Sequence, residues 1–254
     1  MNRMWEIKNQ AEKSVDLYIY GEVESDYRNW WTDEIIKSET SANALRDKLA
    51  EAGDIDEINI FINSEGGSVM EGTAIYSQLR RHKAKKIVHI DGFACSIASL
   101  IAMAGDEIII APNALMMIHN AWTYAVGNSR ELRKAADDLD KINAAQRSAY
   151  LLKSGDKLSE DKLIELMDAE SWLNAEDCIR YGLADQIGEE TVDMTEANEK
   201  MQKAIDGLQS RMSFCKSLAA QLRTLSEPSA AKAPKSEPAA PEQNALIKAL
   251  AGLK

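Results

Sequence analysis

A chain of 254 residues is long enough for one domain of about 150–200 residues and an appendage. Hydrophobic residues make up 45% and charged residues 28%, and the net charge of −11 excludes a nucleic-acid-binding body, which needs clustered Lys and Arg. Cys95, Cys178 and Cys215 are too few and too scattered for a disulfide framework or a structural zinc site, so no metal or cofactor is expected and a reducing cytoplasm fits. The N-terminus lacks the apolar stretch of a signal peptide, and no run approaches the roughly 20 residues of a membrane span.

Up to about Glu190 the pattern alternates strands and helices. Val15 to Tyr20 reads as a strand ending at Gly21. Ser41 to Ala52 reads as a helix, with Ala44, Leu45, Leu49 and Ala52 at helical spacing. The strand Ile58 to Ile62 leads into a turn, Asn63-Ser64-Glu65-Gly66-Gly67-Ser68, and then a helix from Val69 to His82. Next, the strand Ile87 to Ile90 passes through a Gly92–Ser96 turn into a helix from Ile97 to Ala104, which Gly105 ends. Glu107 to Ala111 is a further strand, and the apolar run Leu115 to Ile118 ends directly on His119. Asn128-Ser129-Arg130-Glu131 is a capping box opening a long charged helix to about Lys153. Asn174 caps a last short helix that Gly182 terminates. Repeated strand-turn-helix units of this length imply an α/β fold with a mostly parallel sheet and helical crossovers.

The remainder differs in composition. Residues 191–225 read as a helical segment. Within it Met194, Asn198, Met201, Ile205, Leu208, Met212, Cys215, Ala219 and Leu222 recur at steps of four and three, the spacing of a coiled-coil seam or of one amphipathic helix. Residues 226–244 hold four of the five prolines and read as an extended linker. Residues 245–254, with Leu246, Leu250 and Leu253, read as a short amphipathic helix that folds on a partner. From Thr191 onward there are nine Lys and Arg against seven Asp and Glu, so the acidity belongs to the body at 1–190.

Strand ends are where α/β proteins place their chemistry, because side chains and free backbone N–H groups converge there on a rigid base. Ser96 stands among Ala94, Cys95 and Ala98 at such a turn, where a carbonyl can approach a hydroxyl closely. Taken alone, the local sequence favours a serine that caps the helix or packs there. A serine nucleophile needs a base, and there are three histidines. His82 sits in a basic helix end and is expected to be solvated; His89 lies inside an apolar strand; His119 closes a strand and is the candidate base. Gly66-Gly67 serves either a turn needing positive φ or a backbone that must lie against a substrate. Asp168 and Glu170 are the acidic pair ahead of the last helix, and spacing does not choose between them as a third member.

Three stretches together resemble the Clp protease proteolytic subunit (ClpP) family: Ile60 to Ser68, Ala94 to Ala98, and Ala111 to His119. The stretch from Trp172 to Asp185 is similar too, so the likeness spans about residues 15 to 188. It implies a ClpP/crotonase-type spiral of repeated β-β-α units, here with a helical C-terminal extension. It also implies a serine endopeptidase with Ser96 as nucleophile, His119 as base, Glu170 as the acid, and the amides of Gly67 and Ile97 as oxyanion hole. Asp168 stays the alternative third member. Rings of identical subunits, singly or stacked, acting on protein or peptide substrates follow from the same likeness; an AAA+ unfoldase partner is left open, because the segment before Val15 does not match the family's axial-pore region. With its tail, the chain most resembles the ClpP-related head maturation (prohead) proteases of tailed phages. That implies capsid or scaffold protein as partner and the host cytoplasm, or the procapsid interior, as location. The other readings are an ATP-dependent degradative Clp subunit and a non-catalytic oligomeric scaffold.

Overall fold

The computed structural model describes residues 13–188, together with the backbone of Trp5–Glu6. The expected helical segment, linker and terminal helix from residue 191 onward lie outside the described residues. The architecture is mixed α/β around a mostly parallel sheet. Strands β2 (Ser14–Val23), β5 (Glu57–Gly67), β6 (Lys85–Cys95) and β7 (Glu107–Ile110) lie side by side and parallel, and β10 (Gln186–Ile187) adds to β7 in the same sense. β1 (Trp5–Glu6) pairs antiparallel with β2 at the opposite edge, and a separate small hairpin joins β3 (Tyr27–Arg28) to β4 (Ile35–Ile36).

The strands alternate buried and half-buried residues, so one face carries the core. Leu17, Ile19, Ile58, Ile60, Ile62, Val88, Ile90, Ile108 and Ile110 are all sealed from solvent there. They join one cluster with Leu45 of helix α1 (Ala42–Ala52), Ile75 and Leu79 of α2 (Val69–Arg81), and the wholly buried α3 (Ile97–Ala102). Each such side chain contributes about 1.5–3 kcal/mol by leaving water, so the central strands anchor whatever their ends carry. On the other face Tyr18, Phe61 and His89 stack across three strands, ring centroids 4.8 and 4.7 Å apart.

Several expected boundaries shift, for one physical reason. The stretches read as turns after Ile62 and Ile90 remain strand. Beyond an irregularity at Asn63, Ser64 pairs with Ala94, and Gly66 and Gly67 pair with Glu22 and Val23. β2 accordingly runs through Gly21 to Val23. β6 continues past Gly92 because it changes neighbours: residues Ile87–Ile90 pair with β7, while Phe93–Cys95 pair with β8 (Leu115–Ile118). Two helices also end earlier than expected, α2 at Arg81 and α3 at Ala102. Ser41, Ser68 and Asn128 are N-caps with their side chains on first-turn amides, and Asn128 with Glu131 forms the full capping box of α4 (Ser129–Ser154). A 3-10 turn at Gly155–Lys157, α5 (Glu160–Asp168) and β9 (Ser171–Leu173) precede α6 (Ala175–Tyr181), which ends on left-handed Gly182.

Candidate active site

The last residues of β5, β6 and β8 meet at one end of the sheet. β6 ends on Cys95, and Ser96 follows with φ 54° and ψ −127°, a conformation costing a non-glycine residue about 1–3 kcal/mol. Its amide donates to the Met117 carbonyl at 2.8 Å, tying the turn to β8. Although Ser96 precedes α3, its side chain makes no capping hydrogen bond. Instead its Oγ lies 2.7 Å from Nε2 of His119, the residue after β8. β8 runs parallel to the end of β6, and this register carries His119 to the Ser96 turn.

Gly66 and Gly67 both have positive φ (103° and 141°), the turn-type requirement weighed from sequence, and both also lie close against neighbouring protein atoms. A Cβ on Gly66 would stand 2.7 Å from Ser96 Cβ and 2.8 Å from the Cys95 carbonyl oxygen. One on Gly67 would overlap the Val23 carbonyl. The end of β5 is therefore wedged between β2 and the Ser96 turn, with room for backbone only. The Ser64 hydroxyl supports this edge, donating to the Gly21 carbonyl at 2.6 Å and accepting from the Gly66 amide at 3.1 Å. Ile97 opens α3, where amides have no intrahelical carbonyl to reach. Gly66 and Ile97 thus lie beside Ser96 from two elements, with Gly67 next along β5 against Val23.

β9 runs antiparallel to β8 with Ser171 opposite Ile118, so the preceding Glu170 comes level with His119. Burial holds the His119 imidazole below its usual pKa, and the negative charge of Glu170 acts in the opposite sense. Glu170 itself is exposed and adopts φ 49°. Asp168 is turned to a different neighbour: its carboxylate accepts from Asn120 Nδ2 at 2.7 Å. The two acids therefore have distinct surroundings: the charge of Glu170 bears on the imidazole, while the Asp168 carboxylate holds Asn120.

The other candidates separate cleanly. The Cys95 thiol, next to Ser96, is buried, and burial followed by the charge of Glu65 pushes it up to about 12. His82, expected to be solvated, is partly buried, which lowers its pKa, and its Nδ1 accepts from the Ala84 amide at 3.2 Å. His89 stacks on Phe61 in the middle of the sheet, away from the strand ends. Trp172 on β9, half exposed, meets Phe93 edge-on at 6.2 Å beside the same strand ends. Among the described residues, no group of three or more His, Cys, Asp or Glu is placed to hold a metal ion.

Sequence reasoning missed the polar groups behind the site. Ser99 Oγ donates to the Ser96 carbonyl at 2.6 Å and lies 2.7 Å from the buried Tyr150 hydroxyl. Asn143 Oδ1 accepts from the Ala121 amide at 2.8 Å, just after His119. A serine three residues into an otherwise apolar six-residue helix was the available signal.

Comparison with known proteins gives the same direction. The profile of the Clp protease family matches residues 4–191. An ATP-dependent Clp protease proteolytic subunit of Deinococcus radiodurans is 32% identical over 137 residues, 53% of this chain and 66% of that protein. A protein of the same description from Pleurastrum terricola is 30% identical over 144 residues, 56% of this chain and 72% of that one. The chain thus spans just under two thirds of the first of these relatives.

Proposed function

Because the chain belongs to the Clp protease family, we propose that it is a serine endopeptidase acting through an acyl-enzyme. The observation that carries this reading is the 2.7 Å contact between His119 Nε2 and Ser96 Oγ, with Gly66 wedged beside the Ser96 turn. With its proton on Nδ1, neutral His119 accepts the Ser96 proton as Oγ attacks the peptide carbonyl. The carbonyl oxygen becomes the oxyanion and accepts from the amides of Gly67 and Ile97. His119, now protonated, gives that proton to the departing amine as the C–N bond breaks. Water then attacks the ester, His119 takes its proton and returns it to Ser96, and the acid product leaves. The charge of Glu170 stabilises the imidazolium in both steps.

The tail composition, the linker and the terminal amphipathic pattern support a more specific role: a ring of identical subunits processing capsid or scaffold protein during phage head maturation. The named relatives favour a second reading, an ATP-dependent degradative subunit working with an unfoldase. The test is cleavage of an unstructured protein by the full chain and by Ser96→Ala. The endopeptidase reading requires loss of cleavage on the order of 10⁶-fold; retained cleavage overturns it. Limited products from a co-expressed capsid or scaffold protein without ATP favour maturation, whereas dependence on a AAA+ ATPase favours degradation.

A further inference from the structure

The Ser96 turn is strained, so something outside it must hold it, and two buried hydroxyls are in position. The Ser96 carbonyl accepts twice from Ser99, from the amide at 3.0 Å and from the side-chain Oγ at 2.6 Å. A carbonyl cannot donate, so the single Ser99 hydroxyl proton is committed to Ser96. The contact of 2.7 Å between Ser99 Oγ and the Tyr150 hydroxyl must then run the other way, with Tyr150 donating. Both side chains are out of water, and burial pushes the Tyr150 phenol up to about 12, so it remains a donor near neutral pH. The result is a one-directional chain, Tyr150 to Ser99 to Ser96, whose Tyr150–Ser99 link joins α4 to the nucleophile turn across 51 residues of sequence.

α4 carries a second tie on the same side. Asn143, Gln146 and Tyr150 recur at helical spacing and are buried, while most of the first half of α4 is exposed. Asn143 holds the Ala121 amide, two residues past His119. One helix face therefore grips the nucleophile turn at Tyr150 and the loop after the base at Asn143.

We propose that Tyr150, acting through Ser99, is a positioning residue for Ser96, and that α4 sets the distance between Ser96 Oγ and His119 Nε2 through this chain. The proposal rests on the serine endopeptidase reading. Tyr150 touches no reacting atom; removing its hydroxyl frees the Ser99 hydroxyl to rotate and loosens the turn. A displacement near 1 Å at a catalytic serine costs about ten- to a hundredfold in rate.

The test uses the full chain as wild type, Tyr150→Phe, Ser99→Ala and the double variant. The readouts are the rate of labelling by a fluorophosphonate probe, kcat and KM on a short peptide, and thermal melting. Tyr150→Phe keeps the ring, and is expected to lower kcat and the labelling rate about ten- to a hundredfold with KM unchanged. The double variant is expected to match Ser99→Ala alone, because Tyr150 acts only through Ser99. Should Tyr150→Phe fail to fold, Ser99→Ala reads the same chain from its other end. Wild-type labelling rates in Tyr150→Phe overturn the inference and leave the endopeptidase reading intact, as does a drop in melting temperature with kcat unchanged. Independent, multiplying effects of the two substitutions overturn it too. Failure of the wild type to label overturns the endopeptidase reading, and the inference with it.

Discussion

Gly72→Ala sets two effects of known size against each other. Gly72 lies in the first turns of α2, where alanine is intrinsically favoured over glycine by about 1 kcal/mol. The same position faces the side chain that opens α3. A Cβ there would overlap Ile97 Cγ1 and lie 3.2 Å from both Cβ and Cδ1 of Ile97. Ile97 is itself buried and has no free space to retreat into, and overpacking of this kind costs typically 1–3 kcal/mol. The clash should therefore match or exceed the propensity gain, giving a net loss of up to about 2 kcal/mol, or up to roughly 8 °C in melting temperature for a body of this size. Because the Ile97 amide is a proposed oxyanion donor, displacing the residue should also lower kcat, by about tenfold or more. Ile97→Ala alone leaves a cavity costing about 2–5 kcal/mol, and the new methyl of Gly72→Ala partly fills it. The double variant should thus be less destabilised than the sum of the singles. Thermal melting of the four proteins, with peptide hydrolysis alongside, measures this. A Gly72→Ala protein more stable than wild type with unchanged kcat would refute the packing argument.

Glu170→Gln should lower kcat about tenfold by removing the charge that favours the His119 imidazolium, whereas Asp168→Asn, whose partner is Asn120, should change it less than about threefold. The reverse order in steady-state kinetics would reassign the acid. Hydrolysis should rise with pH through a midpoint below the ordinary imidazole value of 6.5, because burial outweighs Glu170 at His119, and Glu170→Gln should move the midpoint lower still. The same depressed value makes the His119 contribution to stability fully present above 6.5 and lost as pH falls through the folded-state value, which a pH series of melts would show. Cys95 and Cys178, both buried and pushed up to about 12, should resist alkylation at pH 8 in the native protein and react on unfolding; rapid native modification of Cys95 would contradict its placement.

The parts of the site that a sequence can carry are those fixed by local chemistry. Ser96 after a strand, His119 closing an apolar run, and paired glycines with positive φ each leave a mark within a few residues. Helix starts were legible for the same reason, since Ser41, Asn128 and Asn174 are caps acting on amides two or three residues ahead. What stayed hidden depends on pairing partners. The segments Asn63–Gly67 and Phe93–Cys95 have turn-like composition, yet remain in the sheet because β2 and β8 offer them partners distant in sequence. The β8–β9 register, which brings Glu170 rather than Asp168 level with His119, involves three-residue pairing without a readable period. β3, β4 and β9 are two or three residues long, too short for alternation to register. The Tyr150–Ser99 contact spans 51 positions and has no local signature.

The central claim is that Ser96, activated by His119, is the nucleophile of a serine hydrolase. Reacting the folded full chain with a fluorophosphonate, digesting it, and locating the adduct by mass spectrometry tests this most directly. The account predicts a single adduct on Ser96, absent in Ser96→Ala and strongly slowed in His119→Ala. An adduct on another serine, or none on the folded wild-type protein, would contradict it.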